Sequence, residues 1–130
     1  MKKIVVVDDD HDLLYTIKSL LEYSGKNYDV KTFDRGIKCL EHLKKETPDI
    51  ILTDIMMSEM NGWELIHKIK QSPILKGLPI IIISSVGDDT SKVTAQEVAD
   101  DFIEKPFTPE ILLNTIENIF NKHQSHVITC

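Results

Sequence analysis

Two hydrophobic rhythms alternate along the chain. The first is a short, nearly continuous apolar run that ends in acid or hydroxyl. Ile4 to Val7 is such a run and leads into Asp8, Asp9 and Asp10. Tyr28 to Phe33 alternates more weakly. Asp49-Ile50-Ile51-Leu52-Thr53-Asp54 ends in acid again. Ile80 to Ile83, the most hydrophobic run, leads into Ser84 and Ser85, and Phe102 to Glu104 leads into Lys105 and Pro106. Short β-branched runs of this kind read as strands buried on both faces. The second rhythm is helical. Leu13, Leu14, Ile17, Leu20 and Leu21 predict a helix over 12–24, stopped by Gly25. Asp34 predicts a cap for a helix over 35–46, with Ile37, Leu40 and Leu43 facing inward and Pro48 ending it. Leu65, Ile66 and Ile69 form the inner stripe of a helix over 63–71. Segment 90–99 predicts a fourth, weak helix, anchored only by Val93, Val98 and two alanines, and therefore the least stable. Thr108-Pro109-Glu110 starts the last helix well, with a hydroxyl cap, a proline at the first position and acid in the first turn. That helix should run to about Lys122. Residues 123–130 show no pattern and read as a frayed tail.

Five strands alternating with five helices imply a parallel sheet covered on both faces, an α/β fold. The 130 residues suffice for one domain, placed at 1–122, with a single sizeable core. A net charge of −6 argues against a nucleic-acid surface, which needs clustered Lys and Arg. No run reaches the ~18 apolar residues of a membrane span. The charged N-terminus meets three aspartates too soon to be a secretory signal, so the cytoplasm is the default location. Cys39 and Cys130 have no metal-ligand spacing and read as free thiols.

In open α/β sheets, ligands bind beyond the carboxyl ends of the strands. Parallel strands would bring Asp8, Asp9 and Asp10, then Asp54, then Ser84, then Lys105 to one edge. Clustered carboxylates repel one another unless a cation or protons intervene. Hard oxygen donors at an open site suit Mg²⁺. Lys105 can neutralise a phosphate oxygen as a point charge, and Ser84 can donate a hydrogen bond to another. A carboxylate nucleophile attacking phosphorus needs little beyond alignment and charge neutralisation. Taken singly, each residue also has a plainer reading, as a helix cap, a structural serine or a surface lysine. Their joint placement at strand ends favours the site.

The chain resembles the response-regulator receiver family from residue 2 to about 122. The matching pieces are Ile-Val-Val-Val-Asp8-Asp9-Asp10, Asp49-Ile-Ile-Leu-Thr-Asp54-Ile-Met-Met, Met60-Asn-Gly62, Pro79-Ile-Ile-Ile-Ile-Ser84 and Asp100-Asp-Phe-Ile-Glu-Lys105-Pro-Phe107. The resemblance implies a flavodoxin-like, doubly wound five-stranded parallel sheet in the order 2-1-3-4-5. It implies Asp54 as phosphoacceptor, with Asp9, Asp54 and the Met56 backbone carbonyl on Mg²⁺ and Asp8 acting through water. Mn²⁺ or Ca²⁺ can replace Mg²⁺ in crystals. Ser84 and Lys105 would hold the phosphoryl oxygens, and Phe102 would turn inward as Ser84 moves. A sensor histidine kinase or phosphotransfer protein would supply the phosphoryl group. A downstream protein would meet the 90–122 face, and the domain would be a monomer or weak homodimer. It would be a signalling domain rather than a turnover enzyme. Met56 and Val86 occupy the two positions best placed to orient a hydrolytic water. Neither does so well, which implies a long-lived phosphorylated state.

Three departures stand out. Ser58 replaces the family's usual proline after the acceptor. Val98 stands where glycine is common. The Ser84-to-Phe102 interval is 18 residues, one shorter than the family's. Two rivals compete. A haloacid-dehalogenase-type phosphatase would use Asp8 and Asp10, but Asp12 stands where that family has Thr or Val. A pseudo-receiver would lack part of the Asp54, Ser84 and Lys105 set. No output domain lies within the 130 residues, so a stand-alone receiver and a piece of a longer regulator both fit. Finally, a loop that aims Lys105 back into the site before Pro106 predicts a cis peptide bond, which only X-Pro adopts at modest cost.

Overall fold

The computed structural model describes residues 1–85 and 98–128, with the backbone alone for 123–128. Its strands are β1 (Lys2–Val7), β2 (Tyr28–Phe33), β3 (Ile50–Asp54), β4 (Ile80–Ser85) and β5 (Asp101–Lys105). They form one sheet in the order β2-β1-β3-β4-β5, and all four pairings are parallel. The described helices are α1 (His11–Glu22), α2 (Gly36–Leu43), α3 (Gly62–Gln71) and α4 (Pro109–Ile128). The expected weak helix over 90–99 lies almost entirely outside the described residues. Val98 and Ala99, at its end, pack partly buried on the core.

Side chains alternate across the sheet, so each strand feeds two cores. Ile4, Val6, Leu52, Ile81, Ile83 and Ile103 face one side, under Leu14, Ile17 and Leu21 of α1 and Leu112, Ile116 and Ile119 of α4. Val5, Val7, Ile51, Ile80 and Ile82 face the other, under Cys39 and Leu43 of α2 and Leu65, Ile66 and Ile69 of α3. Both faces are thus dry, and this explains the unbroken apolar runs. The central strand β3 is buried along its whole length, acid included. Among the described residues, no helix is long and apolar enough to cross a membrane.

Four local expectations need correction or extension. Asp34 does not cap α2. The cap position is Arg35, which makes no side-chain cap bond, and α2 covers only Gly36–Leu43. Asp34 instead turns to His11, whose Nε2 lies 3.0 Å from its Oδ2. Ile37 is 47% exposed rather than inward, because Gly36, Cys39 and Leu43 make the buried face of α2. Pro48 does not end the helix, which stops at Leu43 before the proline is reached. The last helix continues past Lys122 to Ile128, since no Gly or Pro interrupts residues 123–128. Other local readings hold. Asp10 caps α1, its side chain accepting from the Leu13 N–H, and Thr108 Oγ1 accepts from the Ile111 N–H at 3.2 Å. The Lys105–Pro106 bond is cis.

Candidate functional site

Register brings the polar strand ends together. Val7 pairs with Thr53, so Asp8 and Asp54 follow on neighbouring strands at the same level. Asp54 pairs with Ile83, which sets Ser84 one step beyond it on β4. Ser85 pairs with Lys105 across β4 and β5. Parallel strands thus deliver two carboxylates, a hydroxyl and an ammonium to one edge.

Burial there is unusual for charged groups. Asp8 is fully buried, Asp54 and Ser84 are each 4% exposed, and Asp9 stands at the exposed rim. One carboxylate oxygen from each of Asp8, Asp9 and Asp54 lies within 4.8 Å of the others. Among the described residues a single cation faces them: Lys105 Nζ lies 3.0 Å from Asp8 Oδ2 and 3.5 Å from Asp54 Oδ2. Backbone donors hold the two buried acids in place. The Asp10 N–H donates to Asp8 Oδ1 at 2.9 Å, and the Ile55 N–H donates to Asp54 Oδ1 at 2.8 Å. The Asp8 N–H is itself tied to the Phe33 carbonyl at 3.1 Å.

Three carboxylates and one ammonium leave negative charge in excess. Burial, and then the neighbouring Asp8 carboxylate, push Asp54 up to about 6, against the pull of Lys105 and the Ile55 and Met56 N–H groups. Burial pulls the Lys105 ammonium down, but hydrogen bonding and attraction to Asp8 and Asp54 outweigh it, so its pKa is raised. The lysine is therefore a fixed positive charge, and Asp54 is the acid whose charge is incompletely met. Such a set accepts a hard divalent cation: oxygen donors, an open mouth at Asp9, and charge to spare. The donor chemistry fits Mg²⁺.

The remaining expected residues fall around this cluster. Met56 follows it in the β3–α3 loop, with its side chain 62% exposed. Phe102 lies half-buried on β5, packed against the core under α2 and α3. Val86 lies outside the described residues. Ser58 is exposed in the same loop, next to Glu59 at φ +68°.

One residue does more than the sequence suggested. Gly62 reads as a turn or helix start, yet a Cβ there would sit 2.2 Å from the Asp54 carbonyl oxygen and 2.8 Å from Ile55 Cα. Its N–H donates to the Ile55 carbonyl at 2.9 Å. Asn61 caps α3 with a full capping box, its side chain accepting from Glu64 N–H. The glycine lets α3 begin directly against the backbone that carries Asp54. The signal was a glycine placed immediately after a good cap.

Residues 4–117 match the response regulator receiver domain family, and the chain belongs to it. It is a receiver domain of two-component signalling. A chemotaxis protein CheY homolog of Campylobacter jejuni is 33% identical over 119 residues, covering 90% of this chain and 91% of that protein. A transcriptional regulatory protein CpxR homolog of Haemophilus influenzae is 32% identical over 126 residues, 96% of this chain but 53% of its own length. The chain spans about half the length of several of the curated relatives it matches. Among solved structures, a putative response regulator from Chloroflexus aurantiacus superposes with a TM-score of 0.83 at 29% identity, covering 91% of this chain and 96% of its own.

Proposed function

We propose that this domain takes a phosphoryl group onto an Asp54 carboxylate oxygen, from a histidine kinase, a phosphotransfer protein or a small acyl phosphate. The observation that carries it is the buried Asp54 carboxylate, next to Asp8 and facing Lys105. At neutral pH Asp54 is above its pKa of about 6 and ionised, as a nucleophile must be. Its oxygen attacks phosphorus, the bond from phosphorus to the donor nitrogen or oxygen breaks, and the leaving group departs with that electron pair. Asp9, Asp54 and the Met56 carbonyl would hold Mg²⁺, with Asp8 acting through water. When bound, the ion supplies neutralisation of the phosphoryl oxygens. Lys105, already 3.5 Å from Asp54 Oδ2, pairs with one phosphoryl oxygen. Ser84 donates to another, and Phe102 follows it inward. The last helix and the 90–122 face then meet a downstream protein. The cytoplasm is the compartment we propose for such a relay.

The test is labelling by acetyl phosphate. The parent should take one acid-stable, base-labile phosphoryl group when Mg²⁺ is present, and none after chelation. Asp54→Asn, whose amide is no nucleophile, should take none. Persistent label in that variant overturns the reading.

A further inference from the structure

The four methionines meet solvent very differently. Met56 is 62% exposed and Met1 76% exposed, whereas Met57 is 9% exposed. Met60 is half-buried, with its sulfur packed on α2: a Cβ on Gly36 would lie 2.9 Å from Met60 Sδ. Only one exposed thioether therefore borders the acidic site, two residues beyond Asp54. Its own N–H helps hold the Asp54 pKa down. Thioether oxidation follows exposure. Nothing in the phosphoryl chemistry uses the Met56 side chain, and a flexible apolar group at the mouth of a charged site is an odd choice unless it shields.

We infer that Met56 is a peroxide-reactive site whose conversion to the sulfoxide shortens the life of the phosphorylated domain. A lone pair on the Met56 sulfur attacks one peroxide oxygen and the O–O bond breaks. An S–O bond forms, and the second oxygen leaves as water after taking up the proton. Sulfur is oxidised by two electrons and hydrogen peroxide is reduced. The product replaces an apolar thioether with a strong, hydrated hydrogen-bond acceptor. An acceptor at this rim can orient a water toward phosphorus, which the thioether cannot. Met57 cannot take this role, because its sulfur lies in the core beside α3. Met1 lies just before β1, seven residue steps from Asp8 and so about 23 Å away. It reacts without consequence and serves as an internal control.

The consequence for lifetime rests on the proposed aspartyl phosphate; the order of oxidation does not. The folded chain is exposed to hydrogen peroxide and its peptides are followed by mass spectrometry. Met56 and Met1 should oxidise roughly tenfold or more ahead of Met57, which needs local opening, and ahead of half-buried Met60 by a smaller margin. Met57 or Met60 reacting as fast as Met56 overturns the site. Oxidised and untreated protein are then labelled, freed of donor and followed with Mg²⁺ present. The oxidised parent should lose phosphate at least about threefold faster, in keeping with a newly oriented water. Methionine sulfoxide reductases of both epimer specificities should restore the slow rate. Met56→Leu, compared with its own untreated form, should show no peroxide effect, although its Met1 still oxidises. Equal decay of oxidised and untreated parent, or a peroxide effect that survives in Met56→Leu, overturns the inference. Failure of every form to take label instead overturns the aspartyl-phosphate reading and the lifetime effect with it, while the peptide order still decides the modification site.

Discussion

Asp34 and Asp54 both follow a strand at the carboxyl edge of the sheet, and they are opposites. Asp34 follows the edge strand β2 and is met by Lys38, Arg35 and the His11 ring. His11 Nε2 is 3.0 Å from its Oδ2, and Lys38 Nζ is 3.2 Å from its Oδ1, near enough to pair in charge though not aligned as a hydrogen bond. The His11 hydrogen bond, then the Lys38 ammonium, lowers its pKa. Asp54 ends the central strand, buried, beside Asp8 and facing Lys105, and its pKa is raised to about 6. An acid whose charge is met by its own protein does structural service. An acid whose charge is left unmet in a buried site is the kind we propose to take a cation and a phosphoryl group.

The largest effect that tests this contrast is on labelling. Asp54→Asn should remove phosphoryl uptake altogether, while Asp34→Asn should leave it within about twofold, because a solvated ion pair away from the reacting atoms contributes little. Loss of labelling in both would erase the distinction. The second effect concerns glycine packing. Gly62 faces the fixed backbone of Asp54 and Ile55, whereas Gly36, near the β2 edge, faces only the end of the Met60 side chain. Gly62→Ala should destabilise by about 2–4 kcal/mol, through displaced backbone, and slow labelling as Asp54 shifts. Gly36→Ala should cost about 1 kcal/mol or less if Met60 changes rotamer. Urea melts of the two variants check the order, and equal costs would show that the α3 start yields as readily as a side chain.

The strand ends were legible because buried acid after an apolar run is a conspicuous conflict with burial energetics. Asp8, Asp54, Ser84 and Lys105 could be placed on one edge from that conflict and the parallel sheet alone. Sheet order and individual roles came from resemblance. α2 was misread because Ile37 and Cys39 offer rival apolar stripes on one short helix, and periodicity cannot choose between them. The choice is made by Gly36, whose missing side chain admits Met60. Asp34 as a cap failed because its partner, His11, lies 23 residues away. Gly62 escaped for the same reason: the contact it permits, with Asp54, exists only in three dimensions. The exposure contrast between Met56 and Met57 is likewise invisible in two identical neighbours.

The smallest effect is on stability against pH, and its sign differs between the two acids. Asp54 binds a proton more tightly folded, at about 6, than its ordinary 3.8. Between those values the native state holds a proton that the unfolded chain has lost. Stability from this group therefore falls as pH rises from about 4 to about 6, and stays at the lower level above that. At pH 7 without divalent ions, ionised Asp54 costs the fold about 1–3 kcal/mol, the upper figure being the full shift and the lower allowing for screening at the open mouth. Asp54→Asn should recover that amount at pH 7 and flatten this part of the profile. Asp34 runs the other way. Its lowered pKa contributes stability above its unfolded value and loses it as pH falls through the folded one, so Asp34→Asn should destabilise at pH 7. Magnesium ions should raise the melting temperature of the parent at pH 7, with about 1.4 kcal/mol at ten times the dissociation constant. The gain should shrink below pH 6 as the proton competes for Asp54, and should largely vanish in Asp54→Asn. Destabilisation by Asp54→Asn in metal-free buffer would show that Lys105 already satisfies the carboxylate, and the central site would then resemble the edge.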